Sequence, residues 1–225
     1  MASNKKNSKK VEVEQPDRTV QYVGIALIVL VVGFFLWKYV PWASFAPQAE
    51  TSSSGGPKQY DAAPSMTIDT NKKYFAMVEM EKGGQFVIEL YADKAPITVN
   101  SFVFLARDGY FDGVTFHRVL EGFMAQGGDP TGTGMGGPGY SFVNEDSDLT
   151  FDKAGVVAMA NAGRDTNGSQ FFITFGPADF LNGGYTIFGQ VTEGMDVVNG
   201  ITRRDPDANP DFTGDAIKTI TITEQ

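Results

Sequence analysis

A chain of 225 residues with 42% hydrophobic and 12% aromatic side chains holds enough apolar material for one packed domain plus an appendage. Its 18 basic and 27 acidic residues leave a net charge of -9, and from residue 71 onward 11 basic residues face 21 acidic ones, a balance with no electrostatic footprint for nucleic acid. With no cysteine and a single histidine, disulfides, thiolate nucleophiles and zinc-thiolate sites are excluded, and most hydrolytic chemistry with them.

Residues 1–19 carry Lys5, Lys6, Lys9, Lys10 and Arg18 against Glu12, Glu14 and Asp17, a basic tail of net +2. Residues 20–40 follow as an apolar run broken only by Gln21, Gly24, Gly33 and Lys38. As a helix it would extend ~31 Å, the thickness of a bilayer core. Tyr22 at one end and Trp37, Tyr39 and Trp42 at the other stand where interfacial aromatics prefer to lie. The preceding lysines favour a cytoplasmic N-terminus, so the expectation is a transmembrane signal anchor with the larger domain on the extracytoplasmic side. A cleaved signal peptide, with Ser44-Phe45-Ala46 as its small-residue site, is the competing reading. It is weakened by the length of the run and by Pro47 directly after the cut.

Residues 41–71 are rich in Ala, Ser, Gly and Pro, including Thr51 to Pro57, and read as a flexible tether. From 72 to 225 short apolar or alternating runs separated by glycine turns predict eight strands: 74–81, 85–90, 115–119, 123–126, 156–160, 171–175, 187–190 and 217–222. Gly83-Gly84 marks a hairpin between the first two. A helix is expected from Pro96, with an apolar stripe of Val99, Phe102, Val103 and Ala106 and a stop at Gly109. A shorter one follows Thr192 through Met195 and Val198 to Gly200. Many short antiparallel strands with two helices predict a mainly β fold, a closed eight-stranded barrel capped by helices.

Two segments carry the functional signal: Phe116-His117-Arg118-Val119 running into Gly122 to Asp129, and Met159-Ala160-Asn161-Ala162 running into Asn167 to Phe172. They set one arginine, two glutamines and one asparagine among apolar residues, a combination suited to binding an apolar group together with a peptide backbone. Polar side chains in apolar strands are costly unless bonded, so Gln126, Asn161 and Gln170 point to backbone recognition. Phe123, Met124, Phe172 and Leu181, read by themselves, are core residues. Arg118, read by itself, is a surface ion-pair arginine, but its place inside an apolar strand argues for aim at a cleft.

These segments closely resemble the signature stretches of the cyclophilins, the cyclosporin-binding peptidyl-prolyl cis/trans isomerases, over about residues 73 to 225. The resemblance implies the same eight-stranded barrel, no cofactor, and proline-containing unfolded or extended polypeptides as partners. It matches Arg118 to the catalytic arginine and Phe123, Met124, Phe172 and Leu181 to the proline pocket. Ala160 and Asn161 would hold the substrate extended, while Gln126 and Gln170 support the arginine and the bound carbonyl. Two positions depart from the pattern. Phe180 stands where many members have a tryptophan whose indole contacts cyclosporin, and Tyr185 where many have histidine, which implies weak cyclosporin binding with catalysis less affected. The expectation is a membrane-tethered isomerase acting on chains outside the cytoplasm. A proline-peptide binding module or chaperone with incidental turnover, and a passive structural component, are the alternatives.

Four further signals point elsewhere less strongly. The glycine pattern at Gly132, Gly134 and Gly137 has no preceding strand and runs into Pro138, so a glycine loop beside the site is expected rather than a dinucleotide fold. Asp205, Asp207 and Asn209 open like a calcium loop, but Pro210 and Ala216 occupy the positions of its glycine and glutamate, which leaves a plain turn. His117 reads as a satisfied structural histidine facing away from Arg118, and no metal site is expected. Asn167-Gly168-Ser169 is a glycosylation sequon in a host that glycosylates.

Overall fold

The Gly83-Gly84 pair takes φ values of +92° and +86°, a left-handed turn that only glycine enters freely, and it joins β1 (Tyr74–Met80) to β2 (Gln85–Leu90) in register. The computed structural model describes residues 56–208 and 210–225. After β2 comes α1 (Pro96–Arg107), with proline at its start and Gly109 at φ +66° just beyond its end. Ala95 offers α1 no side-chain cap. The Glu145 carboxylate serves instead, accepting from the Ile97 and Thr98 backbone N–H groups at 2.9 and 2.8 Å and from Thr98 Oγ1 at 2.7 Å.

The remaining elements are β3 (Arg118–Leu120), β4 (Met124–Gly127), β5 (Val156–Met159), β6 (Phe171–Thr174), a 3-10 turn at Asp179–Leu181, β7 (Ile187–Glu193), α2 (Met195–Asn199), a 3-10 turn at Pro206–Ala208, and β8 (Ile217–Glu224). All eight expected strands are present, with ends shifted by a few residues. They form one antiparallel sheet in the order β3-β4-β6-β5-β7-β2-β1-β8.

The closed barrel expected from the strand count is corrected to a half-barrel, because no ladder joins β3 to β8. The reason is local. The free edge of β3 is taken by Arg204, whose backbone exchanges hydrogen bonds with Val119 at 2.7 and 2.9 Å. The segment before β3 reaches the start of β8 through Gly113 N–H to Ile217 O at 2.8 Å, Ile217 N–H to Val114 O at 2.9 Å and an isolated bridge at Thr115 and Ala216, without extending into a ladder.

The register divides the sheet's side chains into two apolar layers. Val119, Ala125, Ile173 and Val157 lie opposite one another across β3, β4, β6 and β5 and face the main core, with Phe171, Phe188, Phe102 and Phe111. Arg118, Gln126, Phe172 and Ala158 form the neighbouring row on the other face. Met124, Phe151, Val156, Ala158, Phe172, Ala178 and Ile187 make a second, separate cluster there.

The tether expected over 41–71 is shorter at its C-terminal end. Residues 41–55 lie outside the described residues, but Tyr60 packs edge-on against Phe104 at 5.1 Å and Tyr140 at 6.3 Å, and Ile68 is buried in the main core. Burial of these two apolar side chains helps dock the segment as a strap. The apolar run at 20–40 also lies outside the described residues. Among the described residues no helix is long and apolar enough to cross a membrane.

Candidate active site

Because strand residues two apart share a face, Met124 and Gln126 on β4 project on the same side as Arg118 on β3 and Phe172 on β6. Phe123 from the turn before β4, Leu181 from the 3-10 turn, and Tyr185 and Ala160–Asn161 from the loops beyond complete a cavity of 230 Å³. Its lining comprises nine of the eleven side chains singled out in the sequence: Arg118, Phe123, Met124, Gln126, Ala160, Asn161, Phe172, Leu181 and Tyr185. Phe172 forms its floor, stacked on Phe151 at 5.8 Å and met edge-on by Tyr185 at 5.5 Å. Met124 and Phe172 are thus buried as their core reading required, but in the layer beneath the cavity rather than inside the half-barrel.

The Arg118 guanidinium has no carboxylate partner among the described residues. Its one side-chain hydrogen bond there is a long donation from Nη1 to Met124 Sδ at 3.9 Å. A half-buried cation set at the mouth of an apolar cavity with its donors unspent is available to a bound acceptor.

Gln126 and Gln170 act on each other: Gln126 Nε2 donates to Gln170 Oε1 at 2.9 Å. Gln170 lies outside the apolar cavity, and its Nε2 donates to the carbonyls of Gly134 and Gly136 at 3.0 and 2.8 Å. Those two residues in turn donate their N–H groups to Asp129 Oδ2, while Thr131 donates to Asp129 Oδ1. Burial alone would raise the Asp129 pKa, but the Thr131, Gly136 and Gly134 donors outweigh it and hold the carboxyl below its ordinary 3.8. A buried carboxylate therefore fixes the glycine loop, the loop fixes Gln170, and Gln170 fixes Gln126 beside the arginine. Asp129 was missed in the sequence. The signal available was a Gly-Asp-Pro-Thr string, where an aspartate two residues before threonine suggests a side-chain-closed turn.

Asn161 spends its amide on neighbouring loops, Nδ2 donating to Gly184 O and Oδ1 accepting from Gly163 N, both at 3.2 Å. Phe180 is not part of the cavity. It stands 76% exposed on the rim with its ring 5.5 Å from that of Phe123. The glycine pattern is a loop beside the site, as expected, and Asp205 and Asp207 sit in a turn in which Asp207 N–H donates to Asp205 Oδ1 at 3.0 Å. No cluster of metal-ligating side chains occurs among the described residues.

His117 corrects its expectation. It is 3% exposed, but among the described residues neither ring nitrogen has a partner in good hydrogen-bonding geometry, so it is buried without being well satisfied. Burial accordingly pushes its pKa below the ordinary 6.5. The sequon asparagine, Asn167, is fully buried with Nδ2 donating to Val143 O and Asn144 Oδ1, and is not presented on the folded surface.

Next to the apolar cavity, and sharing Gln126, Ala160 and Asn161 with it, lies a larger one of 540 Å³ between the glycine loop and residues 160–170. One wall of it is Gln59, from the strap.

Comparison with known proteins agrees with this geometry. Residues 75–224 match the family profile described as cyclophilin type peptidyl-prolyl cis-trans isomerase/CLD. The mouse protein named peptidyl-prolyl cis-trans isomerase-like 1 is 53% identical over 122 residues, covering 52% of this chain and 74% of its own length. Peptidyl-prolyl cis-trans isomerase B of Bacillus subtilis is 47% identical over 127 residues, 56% of this chain and 89% of that protein. The crystal structure of a Cryptosporidium parvum cyclophilin type peptidyl-prolyl cis-trans isomerase superposes with a TM-score of 0.61 at 33% identity, covering 68% of this chain and 99% of the other. A second crystal structure of that protein was obtained in the presence of the dipeptide Ala-Pro. Over a cavity of this shape and a profile match spanning the whole β domain, the chain belongs to the cyclophilin-type peptidyl-prolyl cis-trans isomerases and is an enzyme of that class.

Proposed function

We propose that this chain accelerates rotation about X-Pro bonds in polypeptides folding outside the cytoplasm, held beside the membrane by residues 20–40, with Arg118 as its catalytic residue. The barrier it lowers is ~18–20 kcal/mol and arises from resonance of the nitrogen lone pair with the carbonyl. In the twisted state that lone pair localises on the prolyl nitrogen, so a fixed donor binds the twisted state better than either planar one. The unspent Arg118 guanidinium at the mouth of the apolar cavity is the single observation that carries this reading.

The pyrrolidine ring occupies the hollow of Phe123, Met124, Phe172, Leu181 and Tyr185, which excludes water that would otherwise compete for the donor. Gln126, Ala160 and Asn161 hold the flanking backbone, and Gln170 keeps Gln126 in place through the pair they form at 2.9 Å. No proton is transferred and no covalent intermediate forms. The basic residues ahead of the apolar run and its flanking aromatics support a cytoplasmic N-terminus and an extracytoplasmic β domain.

The enzymatic part is tested by NMR exchange spectroscopy on an X-Pro peptide with the full-length chain at catalytic concentration. Rapid cis/trans exchange is expected, whereas persistent binding without exchange would leave a docking module. The topological part is tested by adding protease to intact and lysed cells. Digestion of the β domain only after lysis of every compartment would reject the extracytoplasmic placement.

A further inference from the structure

The strap is seated against the glycine loop by a set of specific contacts. Tyr60 N–H donates to Pro138 O at 2.8 Å, and Gln59 Nε2 donates to Gly137 O at 2.8 Å and Lys58 O at 3.0 Å. Lys58 pairs with Asp108 at 3.0 Å, and Tyr60 Oη donates to the same carboxylate at 2.7 Å. The approach needs glycine at position 139: a Cβ there would lie 2.6 Å from Tyr60 O, and its φ of +93° is one that other residues resist.

These contacts hold the Gln59 side chain as one wall of the 540 Å³ cavity. Its Nε2 is spent on the loop, while its Oε1 has no partner among the described residues and remains an open acceptor. Among the described residues no Asp, Glu, Lys, Arg or His lines that cavity, so Gln59 is placed where a charge would meet little competition.

A peptide gripped extended along Ala160 and Asn161, with its proline in the apolar cavity, turns alternate side chains to the same side. The residue two positions before the proline therefore faces the neighbouring cavity, which shares those two residues and Gln126. We propose that Gln59 is a specificity-determining residue, supplied by the segment that leads into the domain, which reads the side chain two positions before the proline and favours hydrogen-bond donors there. The inference rests on the groove binding an X-Pro chain as described above.

The test uses the full-length protein, with Gln59→Glu and Gln59→Lys, and two peptides that differ only in carrying Lys or Glu two residues before the proline. The readout is the ratio of kcat/KM for the Lys peptide to that for the Glu peptide, which a merely structural role would leave alone. Gln59→Glu should raise this ratio and Gln59→Lys lower it, each by about fivefold, the scale of one exposed charge pair. Hydrogen exchange of the Tyr60 amide reports whether the strap is seated. A ratio unmoved in both variants overturns the proposal, whether the Tyr60 amide is protected or not. Arg118→Ala measured alongside separates the two readings: if it retains the parent rate, the catalytic assignment fails, and the same ratio is then taken from peptide dissociation constants.

Discussion

Replacing Arg118 by alanine removes a donor that the fold itself does not use. Among the described residues its only side-chain hydrogen bond is to a thioether, a weak acceptor, so no buried partner is left stranded. The stability change should therefore stay under about 1 kcal/mol, mostly from lost packing of the aliphatic stem. The catalytic loss is larger. A hydrogen bond from a charged donor contributes about 1.5–3 kcal/mol, and if all of it is expressed in the twisted state kcat/KM falls by roughly 10- to 150-fold. Arg118→Lys keeps the charge but not the planar fork, and should recover only part of this. The assay is isomerisation of a short X-Pro peptide by the full-length chain, with urea unfolding of each variant in parallel. An alanine variant of unchanged stability and a rate within about threefold of the parent would refute the argument, because the apolar cavity alone would then account for turnover.

His117 gives a pH signature. Its folded pKa is below 6.5, so the neutral form is favoured in the native state; stability is complete above 6.5 and declines as pH falls through that value toward the lower folded pKa. Urea unfolding between pH 7 and pH 5 should show this slope, and His117→Phe should flatten it; a slope persisting in the variant would assign it to other groups. Gly128→Ala should destabilise by more than about 2 kcal/mol in the same assay, since the residue has φ +86° and an added Cβ would sit 2.2 Å from Ser169 O. Phe180→Trp restores an indole donor to the exposed rim and should tighten cyclosporin binding about fivefold or more by calorimetry, the scale of one net hydrogen bond; unchanged affinity would place the donor out of reach.

The strand pattern was legible because alternation and glycine turns are local, and the site residues because their spacing resembles a family signature. Three non-local features were not. The edge of β3 is covered by Arg204, 86 positions after Arg118 in the numbering, and nothing in the Arg203-Arg204 string says which strand it will meet. The strap was hidden by its composition: Ala, Ser, Gly and Pro gave the segment the look of a tether, while Tyr60 and Ile68 carried the apolar surface that docks it. Glu145 capping α1 from 47 and 48 residues away is of the same kind, since a cap in trans leaves no mark beside Ala95.

That Arg118, Gln126 and Phe172 occupy the outward row of the sheet while Val119, Ala125 and Ile173 fill the inward one has a consequence for what can be processed. A groove on the outside of a wall is approached sideways. A polypeptide need not thread an end through it, so a proline hundreds of positions from either terminus is as accessible as one in a dipeptide, provided a few residues around it can be straightened.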